Sequence, residues 1–117
     1  MELLKTENSG NGFYGEMHQA GCADAAWDEA MTAITEATGA EPDFVRAFLD
    51  STWGRHFAAT VRDFLDSRTV PQAVRAAAAR WQGWKLPART RRELDIPEPM
   101  PYLTGLVYSA AFDAGVA

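Results

Sequence analysis

A chain of 117 residues, 47% of them apolar, fits one domain and can bury a real core without disulfide or metal staples. The single Cys22 excludes an intramolecular disulfide, no apolar run approaches the roughly 20 residues a membrane helix needs, and no leader-like segment opens the chain. A cytoplasmic protein is therefore expected, and a net charge of -5 argues against nucleic acid as the default partner.

Residues 1–21 show no sustained period and carry Gly10, Gly12, Gly15 and Gly21, which predicts an irregular glycine-rich arm. Gly10-Asn11-Gly12-Phe13-Tyr14-Gly15 matches GxGxxG, but dinucleotide binding needs a buried strand before it, and Lys5-Thr6-Glu7-Asn8-Ser9 cannot make one. The glycines are better read as tight turns that let Phe13 and Tyr14 dock on the helical body or on a partner. From Asp24 to Thr38, the spacing of Trp27, Ala30, Met31, Ile34 and Ala37 predicts an amphipathic helix that stops at Gly39. A second helix is expected near Glu41, with Pro42 in its first turn and Phe44, Val45, Phe48 and Leu49 buried.

The middle of the chain says one thing twice. Val45-Arg46-Ala47-Phe48-Leu49-Asp50-Ser51 returns sixteen residues later as Val61-Arg62-Asp63-Phe64-Leu65-Asp66-Ser67, with six of seven positions identical. Val, Phe and Leu fall on one helical face in each copy, which predicts two consecutive helices with a break near Gly54 and Trp53 and Phe57 as anchors. His56 lies at that break and is expected to bond a nearby carbonyl or carboxylate. His18 and Cys22 lack a third ligand at a recognisable spacing, so no metal, cofactor or catalytic residue is expected.

The next helix is announced by a capping box, Thr69 with Gln72, and its inner stripe is Ala73, Val74, Ala77, Ala78, Trp81 and Trp84. A basic tract follows, Lys85 with Arg89, Arg91 and Arg92, where Thr90 and Glu93 could cap a short helix. Residues 96–101 carry proline at every second position and must be extended, with no ladder or helix running through. Residues 102–113 are apolar and suit a helix, with a strand as the alternative, and the last residues should fray. The sum is an all-α, single-domain bundle of about five helices: arm 1–21, helical core 22–95, extended link 96–101 and apolar element 102–113.

Charge is unevenly distributed along this plan. Residues 1–54 hold ten Asp or Glu against Lys5 and Arg46, a balance of -8, whereas residues 55–117 hold nine Lys or Arg against six acids, a balance of +3. An electrically two-ended molecule is expected. Asp24, Asp28, Glu29, Glu36, Glu41 and Asp43 form the candidate surface for a basic protein partner; the competing reading is a solvated face. Lys85, Arg89, Arg91 and Arg92, with Trp84 beside them, are the alternative nucleic-acid contact.

Taken in order, Gly12-Phe13-Tyr14-Gly15, Ala26-Trp27, Phe48-Leu49-Asp50-Ser51, Gly54-Arg55-His56-Phe57-Ala58, Arg80-Trp81-Gln82-Gly83-Trp84, Ile96-Pro97 and Pro101-Tyr102-Leu103-Thr104-Gly105 resemble a group of short accessory proteins. Proteobacterial plasmids, integrated elements and phages carry that group. The resemblance implies a context in which small inhibitors of host defence, anti-CRISPR and anti-restriction proteins among them, act without catalysis by occupying a surface. It points to a non-enzymatic inhibitor, monomer or homodimer, that contacts a host defence complex. The alternatives are a helical adaptor of the mobile element and a nucleic-acid-binding protein.

Overall fold

The computed structural model describes residues 12–116, so Lys5, Glu7 and the Gly10-Asn11 half of the glycine motif lie outside the described residues. Among the described residues seven α-helices follow one another: α1 Phe13–Gln19, α2 Ala23–Thr38, α3 Pro42–Asp50, α4 Thr52–Phe64, α5 Val70–Gly83, α6 Ala88–Glu93 and α7 Tyr102–Asp113. The all-α expectation holds among the described residues, which hold seven helices against the expected five. One addition, α6, is the short helix that the basic tract left open. The other, α1, corrects the irregular arm over residues 13–19.

At seven residues α1 is too short to show a period, but Phe13 and Met17 stand one turn apart and both are fully buried. It closes on Gly21, whose φ of +82° lets Gly21 N–H bond the His18 carbonyl and Cys22 N–H bond the Met17 carbonyl, each at 3.0 Å. The same paired closure ends α7 at Gly115, so the chain is capped rather than frayed as far as Val116. It also ends α6, where Asp95 takes the left-handed position at φ +62°. Thr90 therefore lies inside α6 and does not cap it.

Helix α2 buries Ala23, Ala26, Ala30, Ala33 and Ile34, leaving Trp27 and Met31 half-buried and Ala37 exposed. Its buried stripe is thus rotated from the expected one. The reason is its neighbour α5, which presents Ala73, Ala77 and Ala78: small side chains on both helices permit close approach. The capping box of α5 forms as predicted, with Gln72 N–H bonding Thr69 Oγ1 at 3.3 Å and Thr69 N–H bonding Gln72 Oε1 at 3.1 Å.

The repeat marks two helix ends. In the first copy Ser51 N–H bonds the Phe48 carbonyl at 3.1 Å, and in the second Ser67 N–H bonds the Phe64 carbonyl at 3.3 Å. Burial then separates the copies. Val45, Phe48 and Leu49 are fully buried, whereas Phe64 and Leu65 are only half-buried and the guanidinium groups of Arg68 and Arg80 lie 4.6 and 4.5 Å from the Phe64 ring centre. Ser51 is both the end of α3 and the start of α4, so the break falls there and not at Gly54.

Gly54 sits inside the first turn of α4 and is buried, because α4 begins hard against the end of α3. A Cβ at Gly54 would stand 2.1 Å from the Leu49 carbonyl oxygen, and one at Gly12 would stand 2.8 Å from the same atom. Gly12, at the N-cap of α1, and Gly54, inside α4, therefore close on one carbonyl. This is what the conformational economy of glycine serves here: approach to backbone, not a nucleotide cradle.

The chain from 84 to 102 forms a closed excursion. Tyr102 N–H bonds the Trp84 carbonyl at 2.7 Å and Leu86 N–H bonds the Met100 carbonyl at 3.0 Å, with Lys85 and Pro101 opposite one another. The proline link thus does carry one ladder step. It can because Pro101 occupies the position of the antiparallel pair that needs no N–H. From this step α7 starts as a helix, resolving the helix-or-strand alternative, and packs on α3.

The core centres on Trp81. Its ring stands edge-on to Phe57 at 5.2 Å and to Phe48 at 6.2 Å, with Phe13 beyond at 5.8 Å from Phe57, and its indole N–H donates to Thr60 Oγ1 at 3.1 Å. Trp81→Ala should lower unfolding stability by about 3–5 kcal/mol in denaturant titration. Gly54→Ala should lower it by about 1–3 kcal/mol or more through collision with the Leu49 carbonyl. Gly83→Ala meets open space and should leave stability unchanged or raise it by less than about 1 kcal/mol. Equal losses in the two glycine variants would rule out the close approach as the cause.

Candidate interaction surfaces

The six acidic candidates do not form one free face. Asp24 and Asp28 lie one turn apart on α2 and are exposed, while Glu29 and Glu36 lie two turns apart on the flank nearer α5. Glu29, whose side chain keeps only 16% of its exposure, is paired with the Arg75 guanidinium of α5. Asp24 accepts a hydrogen bond from Tyr14 Oη at 2.8 Å. Glu41 and Asp43 sit at the start of α3, where carboxylates complement the positive helix end. Asp28, Glu36, Glu41 and Asp43 make no ion pair or hydrogen bond among the described residues.

Three pairs join the acidic half of the chain to the basic half. Besides Glu29 with Arg75, Glu16 lies 3.8 Å from Arg55 and 3.4 Å from Arg62 on α4. The two-ended charge distribution is therefore partly folded back on itself, because α1 packs on α4 and α2 on α5. A shallow cleft of about 270 Å³ lined by Glu36 and Arg75, with Ala33, Ala37, Ala78 and Ala79, carries one charge of each sign.

The basic tract is only loosely a patch. Arg89 lies 3.6 Å from Glu93 one turn on, and Arg91 donates to the Pro97 carbonyl at 3.3 Å. Lys85 is exposed on the ladder step and Arg92 is exposed on α6. Arg91 and Arg92 line a cleft of about 440 Å³ with Asp95, Ile96 and Pro97, so an acid is built into the same depression.

The feature that sequence reasoning missed is aromatic. Trp84 was expected in the inner stripe of α5 and Trp53 as a core anchor, yet Trp84 is 48% exposed and Trp53 40% exposed. Helix α5 ends at Gly83, so Trp84 is already in extended backbone and the helical period no longer says where it points. The two indoles flank half-buried Tyr102, at 5.6 Å from Trp84 and 6.5 Å from Trp53, both edge to face. His56 completes the row, exposed and 5.8 Å from Trp53, so the expected bond to a carbonyl or carboxylate is replaced by a ring contact. Behind them Trp81 stacks on Trp84 at 6.2 Å and ties the row to the core.

At the corner between α1 and α2 an open cleft of about 620 Å³ is lined by Tyr14, His18, Cys22 and Asp24. His18 and Cys22 are not partners on one helix, since α1 ends at Gln19 between them. No group of three or more His, Cys, Asp or Glu among the described residues is arranged to hold a metal ion. Among the described residues no helix is long and apolar enough to cross a membrane. Comparison with protein-family models, curated proteins and solved structures finds no match.

Two tyrosines have raised pKa values from different causes. The Asp24 carboxylate accepts a hydrogen bond from the Tyr14 hydroxyl and opposes a second negative charge beside it, whereas burial alone raises Tyr102. The hydroxyl of Tyr14 is thus held neutral above its ordinary range. The stability this bond contributes is present below the pKa of an unfolded tyrosine and is lost as pH rises through the higher folded value. In Asp24→Asn, ultraviolet titration of the phenolate should show one tyrosine ionising at lower pH than in the parent; an unchanged curve would break the link between Tyr14 and Asp24.

Proposed function

We propose that the protein is a non-catalytic binding protein that works by covering a surface of a protein partner. The observation that carries this reading is the exposed row Trp53, Tyr102, Trp84 and His56. A small domain that leaves two indoles at 40% and 48% exposure, side by side through one tyrosine, presents the residue types that dominate interface energetics. The row is also pre-ordered, because Trp81 anchors it to the core, and little side-chain freedom remains to be lost on binding.

The resemblance described above supplies the context, a mobile genetic element, and with it the partner class: a host defence complex that handles nucleic acid. Such complexes expose basic grooves. The free carboxylates Asp28, Glu36, Glu41 and Asp43, with Asp24, would steer the protein toward them, while Glu29 leaves the contact set because Arg75 holds it. Surface charge of this kind sets approach and orientation, and the aromatic row supplies affinity.

A second reading, a nucleic-acid-binding protein, is favoured by Trp84 standing next to Lys85 and by Arg89, Arg91 and Arg92 on the same excursion, since stacking rings and cations are the recipe for single strands. Salt separates the two. Phosphate contacts weaken steeply as salt rises, whereas an aromatic protein contact does so far less.

Pull-down from a host with active CRISPR and restriction systems, with phage protection scored in parallel, tests the first reading. Trp53→Ala with Trp84→Ala should reduce capture and protection by about tenfold or more while leaving the helical spectrum intact. Reversal of Asp24, Asp28 and Glu36 to Lys should slow association and weaken it in a salt-dependent way. Undiminished protection by the double tryptophan variant would remove the aromatic row from the function.

A further inference from the structure

Six large apolar side chains are exposed among the described residues, and the aromatic row accounts for two of them. Three of the remainder, Leu94 at 38%, Tyr108 at 40% and Phe112 at 74%, line a single cleft on another part of the surface, with Ile96, Ser109 and Asp113. Leu94 and Ile96 reach it from the turn that closes α6 at Asp95, and the other four come from α7. Phe44 of α3 backs the wall, edge-on to Tyr108 at 5.4 Å.

The cleft measures about 220 Å³, and the most exposed ring of the molecule rises from its own rim. An apolar cavity of roughly 150 Å³ is enough to take a benzene ring. Knob and hole therefore have compatible sizes and adjoin on one surface. That adjacency decides the symmetry. Two copies related by a two-fold axis at the rim can each place Phe112 in the other's cleft, which closes the contact as an isologous pair and leaves no open end.

Charge supports the same occupant. Asp113 lies in the cleft wall, and Ile96 is shared with the neighbouring depression that holds Arg91 and Arg92. The surface thus carries Asp113 as its acid on one side of Ile96 and, on the other, two guanidinium groups beside Asp95, which leaves that side net positive. Turned over by a two-fold axis, such a strip sets acid against base at both ends. Helix α7 fits this role in composition as well, since its Leu103, Leu106, Val107, Ala110 and Ala111 are buried in the core while Tyr108 and Phe112 extend the apolar surface outward. A helix apolar nearly all round belongs in an interior, and a second copy supplies the missing side.

We infer that the face built from Leu94, Ile96, Tyr108 and Phe112 is the self-association surface of a two-fold homodimer, with Phe112 of each copy seated in the cleft of the other. This stands apart from the aromatic row, which stays accessible on each copy for a different partner.

Sedimentation equilibrium of the full chain over a hundredfold concentration range tests it. The parent should fit a monomer–dimer equilibrium, and Phe112→Ser should weaken the dimer by about a hundredfold or more, because two buried rings are removed at once. Phe112 is mostly solvated in the monomer, so the variant should keep the parent's helical spectrum. Asp113→Arg should weaken the dimer, and adding Arg92→Asp should restore part of the loss. A parent that stays monomeric throughout, a Phe112→Ser dimer as tight as the parent's, or assembly into species larger than dimers would each overturn the inference. Failure of the pull-down leaves this experiment intact, and the converse is equally true.

Discussion

Everything in this bundle is set around one indole. Trp81 lies edge-on to Phe48 of α3 and Phe57 of α4, tilted against Tyr102 of α7 at 5.3 Å and stacked on Trp84. Edge-to-face pairs of this kind add about 0.5–1.5 kcal/mol each beyond the area they bury, so the cluster is both large and directional. Burying the indole N–H without a partner would cost part of that gain. Thr60 accepts it, which also fixes the register of α5 along α4. A surface row resting on this cluster inherits its rigidity, and this is the structural reason to regard Trp53, Tyr102 and Trp84 as a prepared contact.

A second constraint is backbone geometry at the end of α3. The last carbonyls of any helix have no intrahelical partner, and here the Leu49 carbonyl is enclosed by Gly12 and Gly54. Close approach on both sides lets α1 and α4 start within reach of α3, and the short connection through Ser51 becomes possible. Gln82 performs the corresponding service at the C-terminal end of α5, donating to the Ala37 carbonyl at 2.8 Å and bonding Thr104 of α7. Three helices are thereby tied at the site where the aromatic row begins.

Electrostatics adds orientation more than stability. Exposed ion pairs are each worth about 0–1 kcal/mol, and Arg55, Arg62 and Arg75 keep 52%, 45% and 69% of their side-chain exposure. What these pairs change is the surface potential. They withdraw Glu16 and Glu29 from the acidic half and leave a smaller negative field centred on Asp24, Asp28, Glu36, Glu41 and Asp43. Steering by that field and adhesion by the aromatic row are separable contributions on one small domain.

The sequence alone determined the helical class, the capping box at Thr69 and Gln72, the stop at Gly39 and the buried Val45, Phe48 and Leu49, because caps and the 3.6-residue period are local properties. It also placed Asp24, Asp28, Glu29 and Glu36 on α2 and Glu41 and Asp43 at the start of α3. It did not show that α1 is a helix, since seven residues carry too little pattern, nor that Gly54 serves contact instead of a break. Only tertiary structure decided which acids are paired, which tryptophans are buried and where the exposed rings gather. Those outcomes depend on where each helix ends and which neighbour it meets. Trp81 and Trp84 make the point: three residues apart in one motif, they differ in burial because the helix stops between them.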